Sequence, residues 1–485
     1  SLSLLSSPPA TASGRSAPHY GKYGLGQSLI QAPFFALGHV AGRALGATDD
    51  RPMRFAVSMA NAFVTAALAG VFWVTVRVLG GGVNAATATA LMLGLTTLMW
   101  PYARSDFSEP LQTLCLLVVF LAATVWRHAP RPALTLVVGC SAAGAFLTKA
   151  TSVVVLAPLG AYFAFCLWER MRVAPLRALR HAAIAAGPLV AAVGFQATLN
   201  IYRFGRAGEF GYGNEPIEGF TTPLLLGVRH LLFSSGKGLV WFAPLAVLGA
   251  ALLPGLARRR PAEALTILCV LVAELLYFSR WWAWHGDWSW GPRYLVLTVP
   301  FLLLPVAVFL GRRGVRVIAA LLAAAGLAVA ALGVLVDYGG YYSVVSSQIG
   351  RGVDVKEARL VPQFSPILGH AWLARGSWHD ALARWRDPDR DARDNPAWGE
   401  HPWVGSHPEM SPEAPERAVG FDLWFVALDN RTRFVEFWSW LIAVWLAGYV
   451  IWSSISLRRG ARSSVQGSVP AVVIPEPMEP AWQRG

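Results

Sequence analysis

Two carboxylates three residues apart have the spacing for acid and base chemistry. The stretch Trp100-Pro-Tyr-Ala-Arg-Ser-Asp-Phe-Ser-Glu-Pro110 places Asp106 and Glu109 directly before an apolar segment. If this turn is helical, both carboxylates lie on one face. The same acids have an ordinary alternative, because acidic residues complement the dipole of a helix that begins near a proline. Both interpretations stay open, and Asp106 and Glu109 are the candidate catalytic acids.

A second segment concentrates aromatic and polar groups. Residues Ser279 to Tyr294 contain five tryptophans, one histidine, one aspartate and two arginines. An aromatic belt at a membrane interface explains part of this composition. A belt does not require polar groups among the rings, whereas in a sugar site indole faces stack on pyranose rings and short polar groups bind the hydroxyls. The candidate sugar-binding residues are therefore Trp288, Trp290, His285 and Asp287.

Cationic side chains form a third set of candidates. Of 41 basic residues only four are lysine, namely Lys22, Lys149, Lys237 and Lys356. On the predicted topology all four lie outside the membrane or at its outer rim. A compact ammonium suits a single oxyanion such as a lipid phosphate, although chance also explains this location because the outer loops are long. Arg293 has the geometry to pair bidentately with a phosphate, or it snorkels to lipid headgroups. The candidate phosphate-binding residues are Lys149, Lys237, Arg293 and Lys22.

Two further features are weaker indicators of a functional site. The segment Phe233-Ser-Ser-Gly-Lys-Gly238 lacks the glycine spacing and the preceding strand of a nucleotide-binding loop, but its glycines permit close approach to a phosphate. Glu274 is the one acid well inside an apolar segment. Such residues are functional candidates by default, and pairing with Arg280 is the structural alternative.

The elements that must position these residues are membrane-spanning helices. The chain is 55% hydrophobic and only 14% charged. Apolar runs of about 17 to 25 residues recur, which is long enough for helices to cross a bilayer, where backbone groups must satisfy one another. The sequence predicts an all-α polytopic protein with eleven spans, at 56–79, 83–101, 110–126, 133–148, 150–168, 182–201, 238–256, 263–279, 294–310, 317–337 and 437–456.

Basic residues in the short loops predict the orientation, because Lys and Arg are retained on the cytoplasmic side. Every second loop is rich in arginine, whereas the intervening loops mix basic and acidic residues and are predicted to face outward. The net charge of +13 therefore indicates topology rather than nucleic-acid binding. The arginine-rich loops carry Arg77, Arg127, Arg131, Arg170, Arg172, Arg177, Arg180, Arg258, Arg259, Arg260, Arg312, Arg313, Arg316, Arg458, Arg459 and Arg462.

Five regions follow from this topology. Residues 1–53 are predicted to be an outer loop with an interfacial helix over Tyr23 to Leu45, and 221–234 is predicted to be a re-entrant or interfacial helix. The remaining regions are a transmembrane core at 54–338, an extracytoplasmic region at 339–434, a last span at 435–457 and a cytoplasmic tail at 458–485.

All four cysteines lie inside predicted spans, so no disulfide framework is expected.

The motifs resemble the membrane glycosyltransferases of the C-type fold, the group that contains protein O-mannosyltransferases and the lipid A aminoarabinose transferase, in a bacterial branch. The likeness covers about residues 20 to 310. It rests on Tyr20-Gly-Lys-Tyr-Gly-Leu-Gly-Gln-Ser-Leu, Trp100-Pro-Tyr-Ala-Arg with Ser108-Glu-Pro-Leu, Phe233-Ser-Ser-Gly-Lys-Gly and Trp288-Ser-Trp-Gly-Pro-Arg-Tyr-Leu.

The resemblance implies a polyprenyl-phosphate sugar donor, an active site on the outer face and an acidic residue in the first outer loop that serves as base or metal ligand. It also implies that Tyr20 to Gln27 lines the cavity. No Asp or Glu lies upstream of Tyr20, so the chain as given is predicted to lack the family's first helix and acidic loop, or to be inactive.

The predicted function is transfer of a hexose or pentose from such a donor to an unspecified acceptor, outside a bacterial inner membrane. The donor and membrane lipids are the expected partners, without nucleic acid. A divalent metal would assist the leaving group, but the sequence names no ligand set. The alternatives are a noncatalytic protein of the same fold and a transporter of lipid or polysaccharide precursors, which would place ionisable groups near the bilayer midplane.

Overall fold

The described part of this computed structural model is entirely helical. It comprises residues 24–44, 46–212, 219–286, 289–339, 341 and 357–386, with the isolated residues 444 and 448. The first eight helices are α1 Leu25–Ala44, α2 Arg51–Ser58, α3 Ala60–Val78, α4 Val83–Leu95, α5 Met99–Ala103, α6 Glu109–His128, α7 Pro132–Thr148 and α8 Val153–Met171. They are followed by α9 Pro175–Phe204, α10 Leu224–Phe233, α11 Leu239–Phe242, α12 Pro244–Ala257, α13 Pro261–Arg280, α14 Val299–Phe309, α15 Arg313–Leu335, α16 Glu357–Leu360 and α17 Pro366–Arg386.

Six helical segments within these residues are long and apolar enough to cross a membrane. The protein is therefore a multi-pass membrane protein, as the sequence predicts. Six of the described helical segments, rather than the eleven predicted, are long and apolar enough to span the bilayer. The predicted span 437–456 lies almost entirely outside the described residues. The six segments are Arg51–Val78, Glu109–His128, Ala150–Met171, Pro175–Phe204, Pro261–Arg280 and Arg313–Leu335. Shorter apolar helices are Val83–Leu95, Pro132–Thr148, Leu224–Phe233, Pro244–Ala257 and Arg293–Phe309.

Two predicted spans are broken within their length. The span 83–101 is divided between α4 and α5, and 238–256 is divided at Ala243 between α11 and α12. Ala243 leaves the helical region with φ −145° and ψ 65°. Pro244 follows it, and a proline disfavours helical geometry in the preceding residue while starting a new helix well. In contrast, α1 continues through Pro33, and α10 confirms the predicted helix within 221–234.

Helix α6 is the centre of the bundle. Of the residues in its apolar stretch 72% are buried, against 11% for α9, so α9 presents most of its surface to the surroundings. Helices α3, α7 and α8 pack around α6. The residues that begin and end α6 therefore meet several neighbouring helices, and they carry the two ion clusters described next.

The C-terminal end of α6 carries one of these ion clusters. Arg127 forms ion pairs with Glu169 of α8 at 2.9 Å and with Glu263 of α13 at 3.4 Å. The Tyr162 hydroxyl donates to Glu263 Oε1 at 3.0 Å. Because Glu109 starts α6 and Arg127 lies 18 residues later, the two ends are separated by about 27 Å at 1.5 Å per residue.

Candidate functional site

Glu109 is the centre of the other ion cluster. Its side chain is only 1% exposed, and its Oε1 accepts from Lys149 Nζ at 3.1 Å and from Arg293 Nε at 2.7 Å. Its Oε2 is buried without a hydrogen-bond partner among the described residues. A carboxylate buried in a membrane protein requires such pairing, since an isolated charge there is costly. The structure thus joins three residues that the sequence assigned to separate acidic and phosphate-binding roles.

The two cations reach Glu109 from loops next to helix ends. Lys149 follows the last residue of α7 in an extended conformation, with φ −160° and ψ 124°. Arg293 begins the 3-10 helix Arg293–Thr298. Gly286 has φ +66°, and a Cβ there would lie 2.8 Å from Arg293 Cβ, so this turn requires glycine. The Arg293 guanidinium also lies 4.1 Å from the centre of the Phe107 ring, a cation–π contact.

Asn61 on α3 fixes the loop that precedes Glu109. Its side-chain amide donates to the backbone oxygens of Ser105 at 2.6 Å and Phe107 at 2.7 Å. The Gln27 amide donates to Asn61 Oδ1 at 3.1 Å. Sequence reasoning missed Asn61, although an amide inside an apolar span is a signal of an interhelical hydrogen bond.

Helix α1 begins against the residues before Lys149. A Cβ on Gly24 would lie 2.2 Å from the Leu147 carbonyl oxygen, and one on Gly26 would lie 2.8 Å from the Thr148 nitrogen. Only glycines allow this approach of the two backbones. The predicted cavity-lining segment Tyr20 to Gln27 is described from Gly24 onward, and this part lies next to the Lys149 loop. The candidate Lys22 lies outside the described residues.

A small cavity of about 10 Å³, with room for about one water molecule or one hydroxyl group, adjoins the ion cluster. Glu274 on α13 is 1% exposed and lines this pocket together with Lys149. Tyr294 stacks on Phe278 with ring centres 4.0 Å apart. The structural alternative for Glu274 is not supported, because the described residues include no ion pair between Glu274 and Arg280. The pocket is lined by Glu109, Gln112, Lys149, Thr151, Glu274, Phe278, Tyr294 and Leu297.

Asp106 is separated from this cluster. It is exposed and lies in a non-helical turn, whereas Glu109 is buried as the first residue of α6. The condition under which Asp106 and Glu109 would share a helical face is not met, because the helix begins only after Asp106. A catalytic role of Asp106 stays a prediction, and its exposure restricts that role to the rim of the site.

The predicted sugar-binding residues fall in two groups. Asp287 and Trp288 lie outside the described residues. Trp290 is 4% exposed and packs on Phe242 and His370, with ring centres 5.2 and 4.4 Å away. Burial lowers the pKa of His370 to about 4, so this aromatic cluster is uncharged at neutral pH. His285 is also buried, with its ring edge-on to Trp284 at 5.6 Å. Sugar binding by either residue stays a prediction.

Lys237 contacts a different element from Lys149. Its side chain is 1% exposed, and its Nζ donates to the backbone oxygen of Ser289 and, at 3.2 Å, to the Ser289 hydroxyl. It also lies 5.3 Å from the centre of the Tyr338 ring. This ammonium therefore holds the segment between Gly286 and Arg293. Phosphate binding by Lys237 stays a prediction.

We expect Lys237→Met to destabilise the protein. Methionine retains the apolar stem but leaves the buried Ser289 carbonyl without its charged donor, which costs about 1–3 kcal/mol. Thermal unfolding in detergent measures this loss. The control is Arg280→Met, which removes an exposed cation from the same region. An unchanged melting temperature for Lys237→Met would show that this contact does not stabilise the loop.

The described residues do not provide a metal site at this cluster. They contain no group of three or more His, Cys, Asp or Glu side chains placed to hold an ion. Glu109 is also already paired with two cations, which disfavour a third positive charge. Assistance of the leaving group by a divalent metal stays a prediction.

The described chain is thus a polytopic helical membrane protein with a buried carboxylate held by two cations beside a pocket. No protein-family model and no curated protein matches the sequence. Two solved structures are similar in fold, and both are ArnT from Cupriavidus metallidurans. The structure bound to undecaprenyl phosphate is 16% identical over 75% of this chain and 66% of that chain, with a TM-score of 0.44. The apo structure is 17% identical over 76% and 67%, with a TM-score of 0.40.

This neighbour is an aminoarabinose transferase, a member of the group that the sequence motifs resemble. The present chain spans about two thirds of its length.

Proposed function

We propose that the protein is a glycosyltransferase that moves a sugar from a polyprenyl-phosphate donor to an acceptor on the extracytoplasmic face of a bacterial inner membrane. The observation that carries this proposal is the Glu109 cluster, in which one buried carboxylate organises Lys149 and Arg293 beside a pocket. The lipid-linked donor comes from the family that the motifs resemble.

The cluster has the groups that this displacement requires. When the bond between the sugar and the phosphate breaks, negative charge grows on the departing phosphate. Lys149 and Arg293 are cations placed in a partly dehydrated site, where such charge is stabilised strongly. The Glu109 carboxylate, which lines the cavity and whose Oε2 has no partner among the described residues, would orient the acceptor hydroxyl. Asp106 remains a second acidic candidate at the rim.

The outward orientation is supported by the distribution of charge along α6. Arg127 and His128 end the helix, and Arg131 follows directly, whereas Glu109 begins it. Because basic residues are retained on the cytoplasmic side, the Glu109 end is assigned to the opposite face. A lipid-linked donor in the outer leaflet then has its phosphate near the level of Lys149 and Arg293.

Glu109→Gln is expected to reduce sugar transfer about 100-fold, because the amide removes the charge that orders both cations and the acceptor. The assay measures transfer from a radiolabelled polyprenyl-phosphate sugar by the full-length protein in membrane vesicles. Glu263→Gln is the matched control, since Glu263 is equally buried and ion-paired at the far end of α6. We expect the control to keep the wild-type rate.

The outcomes of this assay also separate the alternatives. Wild-type rates in Glu109→Gln would move the acidic role to another residue. A wild-type protein that transfers no sugar from any polyprenyl-phosphate donor, yet binds polyprenyl phosphate, would be the noncatalytic protein. Movement of the intact donor between leaflets without transfer would identify a transporter and overturn the proposal.

A further inference from the structure

Glu274 differs from the other buried carboxylates of the described chain. Glu109, Glu263 and Glu274 are each 1% exposed. Glu109 has Lys149 and Arg293, and Glu263 has Arg127 and Tyr162. No ion pair or hydrogen bond to Glu274 occurs among the described residues, and its Oε2 is fully buried without a partner.

This difference occurs between two glutamates of one helix. Glu263 and Glu274 both belong to α13, at its first turn and six residues before its end. The depth of Glu274 below the end of α13 is therefore about 9 Å. A buried carboxyl without a partner is costly in a membrane protein, so its presence calls for a function. Glu263 has a structural explanation in its ion pair, and Glu274 has none.

The pocket supplies that explanation. Glu274 faces the same small space as Glu109, Lys149 and Tyr294. Glu109 is held by two cations through one oxygen, and its charge is largely neutralised there. Glu274 has no cation at ion-pair distance among the described residues. Its carboxylate is consequently the group of this pocket that is available to take a proton.

We infer that Glu274 is a further catalytic residue of this site, which accepts the proton of the acceptor hydroxyl while Glu109 orients that hydroxyl and holds the cations. The inference rests on the proposed glycosyl transfer. It divides orientation of the acceptor and acceptance of its proton between two carboxylates with different surroundings, one held by two cations and one without an ion pair among the described residues.

The step balances with the groups present. The acceptor O–H bond breaks and its proton moves to the Glu274 carboxylate, while the acceptor oxygen forms a bond to the anomeric carbon of the sugar. The bond between that carbon and the phosphate oxygen breaks, and its electron pair stays on the departing polyprenyl phosphate. Lys149 and Arg293 hold the resulting negative charge. Glu274 then releases its proton to water as the products leave.

The test compares Glu274→Gln with wild type in two measurements, which are sugar transfer in vesicles and binding of undecaprenyl phosphate in detergent. Glutamine has the shape of glutamate and cannot take the proton, so we expect transfer to fall about 100-fold. Binding of undecaprenyl phosphate and the melting temperature should stay within experimental error. Glu263→Gln, on the same helix, is the control: it should keep wild-type transfer and binding of undecaprenyl phosphate, and the loss of its ion pair with Arg127 should lower only the melting temperature.

The pH dependence gives a readout that a structural role would not change. The rate of wild-type transfer should rise with pH as Glu274 loses its proton and becomes able to accept one from the substrate. The residual transfer by Glu274→Gln should not show that rise. Glu274→Asp should recover part of the rate and keep the rise.

Each remaining outcome is decisive. Wild-type transfer in Glu274→Gln would overturn the inference and leave the proposed function standing. Loss of binding and of thermal stability together with transfer would assign Glu274 a structural role and also overturn it. Absence of transfer in the wild-type protein would overturn the proposed function and this inference with it.

Discussion

Arg293→Met should reduce sugar transfer about 1,000-fold, because it removes the cation with the shortest contact to Glu109, at 2.7 Å. Two losses combine in this variant. The departing phosphate loses a guanidinium donor, and Glu109 keeps only Lys149 as a partner. We therefore expect weaker binding of undecaprenyl phosphate as well as slower transfer, and single-turnover transfer at saturating donor separates the two.

Two further variants are compared with Arg293→Met, one conservative and one a control. Arg293→Lys keeps the charge but loses the planar donor set, and it should retain a small part of the activity. Arg280→Met removes an exposed arginine from the end of α13 and should leave transfer unchanged. Equal activity of Arg293→Met and Arg280→Met would exclude Arg293 from the site.

Gly26→Ala is expected to lower transfer about 100-fold although it adds a single methyl group. The new Cβ would lie 2.3 Å from Thr148 Oγ1 and 2.8 Å from the Thr148 backbone, so α1 or the end of α7 must move. Lys149 is the next residue. A displacement of about 1 Å in a group that positions a substrate is enough for a loss of this size. The rate of transfer and the affinity for undecaprenyl phosphate should both fall.

Gly70→Ala is the matched control for this prediction. Gly70 lies on α3, and a Cβ there meets no atom within 4 Å. Alanine in a helix interior is tolerated better than glycine, so the control should be as active and at least as stable as wild type. Full activity in Gly26→Ala would show that the contact between α1 and α7 does not position Lys149.

Much of the helical architecture was predictable from the sequence, because long apolar runs have few alternatives to helix in lipid. The runs at 110–126 and 263–279 became α6 and α13 with small shifts at their ends. The breaks after α4 and α11 were not predicted. There a continuous hydropathy profile hides local backbone geometry, such as the restriction that Pro244 imposes on Ala243.

The candidate site was predictable in residue type but not in its connections. Glu109, Lys149 and Arg293 each stood out by charge within an apolar chain, yet 184 positions separate Glu109 from Arg293. Only packing reveals that one carboxylate oxygen serves both cations. Residue type and spacing make Asp106 and Glu109 equal candidates for the catalytic acid, whereas the start of α6 buries Glu109 and leaves Asp106 exposed. That boundary depends on one turn of backbone, which residue types alone do not fix.

The two ion clusters at the ends of α6 have a consequence for the lipid around the protein. The two clusters lie about 27 Å apart along α6, and each ties α6 to other helices, so the orientation of α6 within the bundle is set by tertiary structure. Such a core has little freedom to tilt when the bilayer is thicker or thinner. Hydrophobic mismatch must then be absorbed by the lipid, and acyl-chain length becomes a determinant of how well this protein works.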